Sequence, residues 1–236
     1  MQKCERPLRN PNELKVPVEA EATAALAYPA ADPPTGAALI LGHGAGAGQR
    51  SSFMVDFAHA ISALGVDVIT FNFLYAEQRR RIPDRGPALE ACYRAVIEVS
   101  RSNIASARRA LFIGGKSMGG RIATQVAAAD PNLVLAGLVL LGYPLHPPGR
   151  PTERRDKHLP SVRRPMLFIQ GSRDAFGTPA ELAPVIDAIG PTAAMHVVSG
   201  GDHSLKLSRK DPDAQAAAHA DVQRTIVEWM RTIIDK

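Results

Sequence analysis

The sequence predicts an α/β fold, a mostly parallel β-sheet with helices on both faces. Two observations carry that prediction. Apolar runs of strand length alternate with amphipathic segments of helix length along most of the 236 residues, the pattern of strand–helix–strand crossovers. The strand-length runs are also almost continuously hydrophobic, as strands covered on both faces must be.

The elements follow in chain order. Residues 1–15 read as a mobile N-terminal extension. The segment LKVPVEAEATAALAYPAAD, residues 14–32, alternates well enough for two short antiparallel strands, although its alanines are weak strand formers. Buried strands are expected at AALILG 37–42, VDVITFNF 66–73, ALFIGG 110–115, AGLVLLGY 136–143, PMLFIQG 165–171 and AMHVVSG 194–200. Between the first two, Phe53, Phe57, Ala60, Ile61 and Leu64 recur at helical spacing, with Ser51 or Ser52 as N-cap and Gly65 as the stop. Further helices are expected over 86–106, 118–129, 179–189 and 214–234, the last with Trp229 and Ile233 facing the core. The Pro- and Arg-rich stretch 144–164 has no period and reads as a loop or short lid. Neither a repeat nor a linker divides the chain, so 1–236 is expected to form one domain.

Bulk properties narrow the function classes. A 45% hydrophobic content supports a substantial core, and no stretch has the roughly 18 consecutive apolar residues of a membrane span. The first residues lack a signal-peptide apolar region, so a cytoplasmic location is expected. Only Cys4 and Cys92 are present, which excludes a disulfide framework or a four-cysteine zinc site. The formal charge of +5 comes largely from arginine clusters at 79–81, 108–109, 154–155 and 163–164. These lie between predicted elements with few aromatics among them, so they read as solvated loop charge, with no nucleic-acid or membrane partner implied.

The heptapeptide GGKSMGG, residues 114–120, admits two readings. A phosphate-binding loop needs G-x-x-x-x-G-K-[ST], but the first glycine of that spacing would fall on Ala110, and the intervening residues belong to a strand. The G-x-S-x-G reading instead places Ser117 between a buried strand and a helix, the context of a turn that presents a nucleophile. Gly115 and Gly119 then relieve crowding around a strained serine backbone, and the helix start directs N–H groups toward developing negative charge.

A nucleophilic serine needs a base, an acid that orients the base, and an oxyanion hole at the same sheet end. SRDAFG after one strand offers Asp174, and GGDHSLK after the next offers His203. Both lie at C-terminal ends of parallel strands, where open α/β sheets bind ligands. The order Ser117, Asp174, His203 is that of the serine–acid–histidine hydrolases. Asp202 is an alternative acid, disfavoured because adjacent side chains diverge. The small-residue loop GHGAGAG brings backbone N–H groups close, with Ala45 and Met118 as the oxyanion pair. The same loop satisfies a loose dinucleotide fingerprint, but the next strand has no ribose-binding acid before Glu77.

These segments resemble the α/β-hydrolase superfamily, in the small branch near dienelactone hydrolases. GHGAGAG, FNFLY, GGKSMGGR, LLGYPLHPPG, IQGSRDAFG and GGDHSLK more closely resemble a hydrolase-like domain shared by bacterial proteins, a testis-expressed animal protein and a subunit of a histone-acetylating complex. The resemblance runs from about Val16 to the C-terminus. It implies an α/β-hydrolase fold with a minimal lid or none, and Ser117, Asp174 and His203 as nucleophile, acid and base. The expected activity is cleavage of an ester or related acyl bond on a small molecule, one that could be anionic, with no metal or organic cofactor required. The alternatives are a non-catalytic hydrolase-like binding or scaffold domain, and acyl transfer to an acceptor other than water.

Residues expected around a substrate are His43, Gly44, Tyr75, Lys116, Tyr143 and His146. For His43 a structural role in the loop is favoured, and Tyr75 and Tyr143 are equally suited to packing. His146 and His158 lie in the possible lid, where ordinary surface histidines are the favoured reading. Lys116 either favours an anionic acyl group or runs along the top of the sheet. His59, His196 and His219 have no clustered partners for a metal.

Overall fold

The computed structural model describes residues 10–207 and 211–235, so Cys4 and positions 1–9 of the expected extension lie outside the described residues. The end of that extension is corrected. Residues 12–15 belong to strand β1 (Asn12–Val18), which pairs antiparallel with β2 (Glu21–Tyr28). Val16 and Val18 bury against the core and supply the apolar face that orders the strand.

Strands β3 (Ala38–Gly42), β4 (Asp67–Phe71), β5 (Leu111–Lys116), β6 (Gly137–Leu141), β7 (Met166–Gly171) and β8 (Ala193–Val198) complete an eight-stranded sheet. Its order is β1-β2-β4-β3-β5-β6-β7-β8, antiparallel through β4 against β2 and parallel from β4 onward. The two-residue period of a strand sorts each apolar run onto two faces. Ile40, Ile69, Ile113 and Leu138 pack on one face beneath α3 (Gly86–Asn103), α5 (Met118–Ala129) and α6 (Pro179–Ile189). Leu39, Leu41, Val68 and Val139 pack on the other beneath α1 (Ser52–Ala63) and α7 (Pro212–Ile234). Each fully buried large side chain contributes roughly 1.5–3 kcal/mol, so these two layers hold the sheet rigid and its loops inherit their positions from it.

Departures from the expected boundaries have local causes. Strand β4 ends at Phe71, before the FNF run is complete, because the next two residues tie loops together. Asn72 Oδ1 accepts the Gln49 N–H at 2.9 Å, and the Phe73 N–H donates to His43 Nε2 at 3.2 Å. The helix expected over 86–106 breaks at Ile104, whose backbone is extended, and restarts as α4 (Ala105–Arg109). The short helix α2 (Leu74–Glu77) has no periodic signal long enough to read. Helix α7 begins two residues before the expected start, since the Asp211 side chain caps it by accepting the Ala214 N–H at 3.0 Å, with Pro212 at its first position. Cys92 is buried and free. Among the described residues no helix is long and apolar enough to cross a membrane.

A close backbone contact joins the end of β3 to the turn between β5 and α5. A Cβ on Gly119 would lie 2.1 Å from the Gly42 carbonyl oxygen, and one on Gly115, whose φ is +148°, would lie 2.2 Å from the same atom. Backbone cannot retreat from such a contact without moving a central strand. Gly119→Ala is therefore expected to lower unfolding stability by about 3 kcal/mol or to prevent folding. Gly86→Ala, where a Cβ meets nothing within 4 Å, should change it little. Chemical-denaturation midpoints of the two variants test this.

Candidate active site

Ser117 occupies φ 50° and ψ −112°, a conformation that costs a non-glycine residue on the order of 1–3 kcal/mol. The glycine contacts on either side hold it there, and its N–H donates to Leu141 O on the neighbouring strand at 2.9 Å. The strain lifts the hydroxyl above the carboxyl ends of the parallel strands.

Two loops deliver side chains to that point. The turn after β7 carries Asp174, whose carboxylate is shut off from solvent. The turn after β8 carries His203. His203 Nδ1 lies 2.9 and 2.8 Å from the two Asp174 carboxylate oxygens, and Nε2 lies 2.8 Å from Ser117 Oγ. A carboxylate can only accept, so Nδ1 carries the proton and Nε2 is free to accept from the serine hydroxyl. Asp174 is oriented by two further donors, the Phe176 N–H to Oδ1 at 2.8 Å and Gln170 Nε2 to Oδ2 at 2.8 Å. Asp202, the alternative acid, is turned the other way: its Oδ1 accepts the N–H groups of Ser204 and Lys206 and shapes the histidine loop.

Phe176 carries no signal in the sequence, and Gln170 carries a weak one. Phe176 stacks on the His203 imidazole with centroids 4.0 Å apart. Gln170 is fully buried at the end of β7, and its Oε1 accepts the Tyr143 N–H while Nε2 donates to Asp174. A buried glutamine in an otherwise apolar strand was the one available clue.

Ser117 opens into a cavity of about 630 Å³, within the range of small-molecule sites. Gly44, Ala45, Lys116 and Met118 line it. Among the described residues the backbone N–H groups of Ala45 and Met118 donate to no protein acceptor, and Met118 is the first residue of α5. Both N–H groups are thus free to meet an oxyanion, with the positive end of the helix behind one of them.

Four of the six expected substrate contacts are corrected, since they lie in the walls rather than on the cavity surface. His43 is fully buried, with Nδ1 2.8 Å from Gly44 O and Nε2 accepting from Phe73, and burial lowers its pKa. It braces the loop from within. Tyr75 is buried against His43. Tyr143 is buried too, and its hydroxyl donates to Arg155 O at 2.7 Å. His146 is buried between Pro147 O and Glu181 Oε1, at 2.9 and 3.2 Å. Position in the chain puts these rings near the cavity mouth, but His43, Tyr143 and His146 find hydrogen-bond partners away from the cavity and Tyr75 packs on His43.

The stretch 144–164 is a docked loop with a single 3-10 turn at Leu159–Ser161. Leu159 is fully buried, His158 Nε2 lies 2.8 Å from Thr124 Oγ1 on α5, and the Arg155 N–H donates to Leu145 O at 2.8 Å. His59, His196 and His219 do not converge, and among the described residues no cluster of potential metal ligands occurs.

Lys116 bridges the two halves of the site. Its Nζ donates to His203 O at 2.6 Å and stands 5.7 Å from the centre of the Phe53 ring. Burial lowers its pKa from the ordinary 10.5 to about 8, against the opposing pull of Asp174 and Asp202. The charged form is the disfavoured one in the fold, so between pH 8 and 10.5 the unfolded chain holds the proton that the native chain has released. Native stability relative to a Lys116→Met variant should rise with pH across that window. An NMR titration of Lys116 should show a midpoint near 8, well below that of exposed lysines.

Solved structures of similar fold cover nearly the whole chain. An alpha-beta serine hydrolase homologue from Coxiella burnetii aligns over 94% of this chain and 99% of its own, with TM-score 0.72 and 15% identity. A serine hydrolase without a lid from Xanthomonas campestris aligns over 93% and 98%, with TM-score 0.69 and 21% identity. A dienelactone hydrolase from Anabaena variabilis aligns over 93% and 99%, with TM-score 0.71 and 17% identity. At these identities the likeness is one of fold: an α/β-hydrolase sheet whose loops carry no large lid. The family described as alpha/beta hydrolase domain matches residues 35–231, and the chain belongs to that family.

Proposed function

We propose that this protein is a serine hydrolase that cleaves an ester or related acyl bond of a small molecule through an acyl-enzyme. The observation that carries this reading is the unbroken hydrogen-bonded series Asp174–His203–Ser117, each link 2.8 Å at its shortest, opening on a cavity with two unpaired backbone N–H groups. A scaffold has no use for a strained serine backbone joined to a histidine and a buried carboxylate. The names of the similar structures, serine hydrolases and an esterase domain among them, support the same class.

In this mechanism Ser117 Oγ attacks the substrate carbonyl carbon while its proton passes to His203 Nε2. Negative charge moves to the carbonyl oxygen, which receives the N–H groups of Ala45 and Met118. Such preorganised donors contribute on the order of 10²–10³ in rate each. Asp174, held by Gln170 and Phe176 N–H, keeps the imidazole in the right tautomer and stabilises its cation. Collapse of the tetrahedral intermediate breaks the bond to the leaving group, which takes the proton from Nε2. Water then attacks the acyl-serine, giving its proton to His203, and the second collapse releases the acid and restores Ser117. Every proton transfer uses a group of this chain. Lys116, through its bond to His203 O, acts as a positioning residue that keeps the histidine loop over the turn that carries Ser117.

The decisive experiment is intact-mass and peptide-level detection of a fluorophosphonate adduct. Labelling at Ser117 should be stoichiometric, absent in Ser117→Ala, and slowed by about 10³-fold or more in His203→Ala. A folded wild-type protein that takes no label would sink the hydrolase reading and favour the binding-domain alternative. With a p-nitrophenyl ester, Asp174→Asn is expected to reduce kcat by about 10⁴ while leaving KM within a few-fold.

A further inference from the structure

The cavity above Ser117 carries an excess of positive charge that the chemistry just described leaves unused. Lys116, Arg121 and Arg155 line it against a single acid, Asp84. Asp84 is already engaged, with Oδ1 2.6 Å from Arg80 Nη2 and Oδ2 accepting the Tyr75 N–H at 3.1 Å. The Lys116 ammonium is bonded to His203 O. Two guanidiniums remain.

Among the described residues neither Arg121 nor Arg155 has a carboxylate within the 4.0 Å of an ion pair, and the nearby acids are taken: Asp156 by Arg154, and Glu90 by Arg94. Both arginines are only partly exposed. Arg121 has one side-chain partner, the neutral Gln125 Oε1 at 3.2 Å. Burial and the neighbouring Arg155 charge both lower its pKa. Arg155 is held by its backbone, which donates to Leu145 O and accepts from the Tyr143 hydroxyl, so the docked loop presents its side chain from a fixed base. Two like charges facing a partly desolvated cavity raise the free energy of the empty site, and an anion seated between them relieves both costs. The guanidinium fork matches the spacing of carboxylate oxygens, so each arginine can donate two parallel hydrogen bonds to such a group.

We propose that Arg121 and Arg155 form a carboxylate-binding subsite, which makes the substrate a small anionic ester or thioester carrying a carboxylate besides the bond that Ser117 attacks. The reacting bond in this statement rests on the hydrolase reading; binding of the anion does not.

Calorimetry on the Ser117→Ala protein, which cannot turn over an ester through the serine, tests the subsite directly. Glutarate monomethyl ester should bind about tenfold or more tightly than dimethyl glutarate at low salt, a preference that added salt reduces. Placing Arg121→Gln or Arg155→Gln in the same background should bring the ratio of the two affinities close to one. In the wild-type enzyme, kcat/KM for p-nitrophenyl hydrogen glutarate over p-nitrophenyl butyrate should exceed one and fall by at least tenfold in either variant. Equal binding of monoanion and diester, or a preference that survives both substitutions, would overturn the proposal. Tighter binding of methyl phosphate than of the monoester would overturn the carboxylate assignment. The salt dependence needs no arginine variant, so misfolding of either one cannot hide the result. Anion binding by a protein whose Ser117 resists fluorophosphonate would support the subsite while removing the hydrolase reading, and a labelled protein without anion preference would do the reverse.

Discussion

The close approach of β3 to the turn after β5 is the constraint on which the site depends. Gly42, Gly115 and Gly119 meet backbone to backbone, with no room for a single methyl group between them. That contact lets α5 start directly beneath the strand end and forces Ser117 into its unfavourable backbone angles. The cost of the strain is small beside the two apolar layers that clamp the sheet, which is why a local conformation disfavoured by 1–3 kcal/mol can persist at its centre. A rigid parallel sheet converts that local strain into a fixed position for one hydroxyl.

The same sheet fixes the proposed base and acid by a different route. The Asp174 and His203 loops follow adjacent parallel strands, β7 and β8, so their separation is set by strand pairing. Fine alignment comes from polar groups inside the protein. Gln170 ties Asp174 to the end of β6 through the Tyr143 N–H, and Lys116 ties the His203 backbone to β5. Both are buried or partly buried polar groups with satisfied partners, the arrangement in which a hydrogen bond in low dielectric orients most strongly. The stacking of Phe176 on His203 limits the remaining ring rotation.

The cavity walls follow a third principle. The loop after β6 has no regular structure beyond one short turn, yet its backbone and side chains are hydrogen bonded to each other, to α5 and to α6. It closes one side of the cavity without covering it, and it contributes Pro144 and Arg155 to the lining. The proposed carboxylate subsite therefore depends on this loop for one of its two arginines.

Much of this was legible in the sequence, for reasons that are local. Continuous apolar runs identify β3 to β7 as strands buried on both faces, whereas the run of β8, expected to be buried as well, forms the half-exposed edge of the sheet; helix α5 and helix α6 begin and end where their periodicity begins and ends. The G-x-S-x-G spacing could be told from a phosphate loop because the residue at 110 is alanine and the run after it is a strand. Ser117, Asp174 and His203 could be proposed together because each follows a strand of the same parallel set, and strand ends of such a set lie on one side by topology. What lay beyond the sequence is the direction of each side chain once its loop folds. His43, Tyr143 and His146 turn into the protein, where backbone carbonyls, an amide and a carboxylate satisfy them, and Tyr75 is buried against His43. Asp202 is as near to His203 in sequence as a residue can be, yet it caps its own turn, while Asp174, 29 residues away, reaches the imidazole. The sequence by itself determined the strands, the helices and the order of the three polar residues, since period and spacing are properties of the chain. The orientation of His203 by Asp174, the stacking of Phe176 on it and the placing of Arg121 and Arg155 on one cavity were decided only by the tertiary structure, because each brings together segments far apart in the chain.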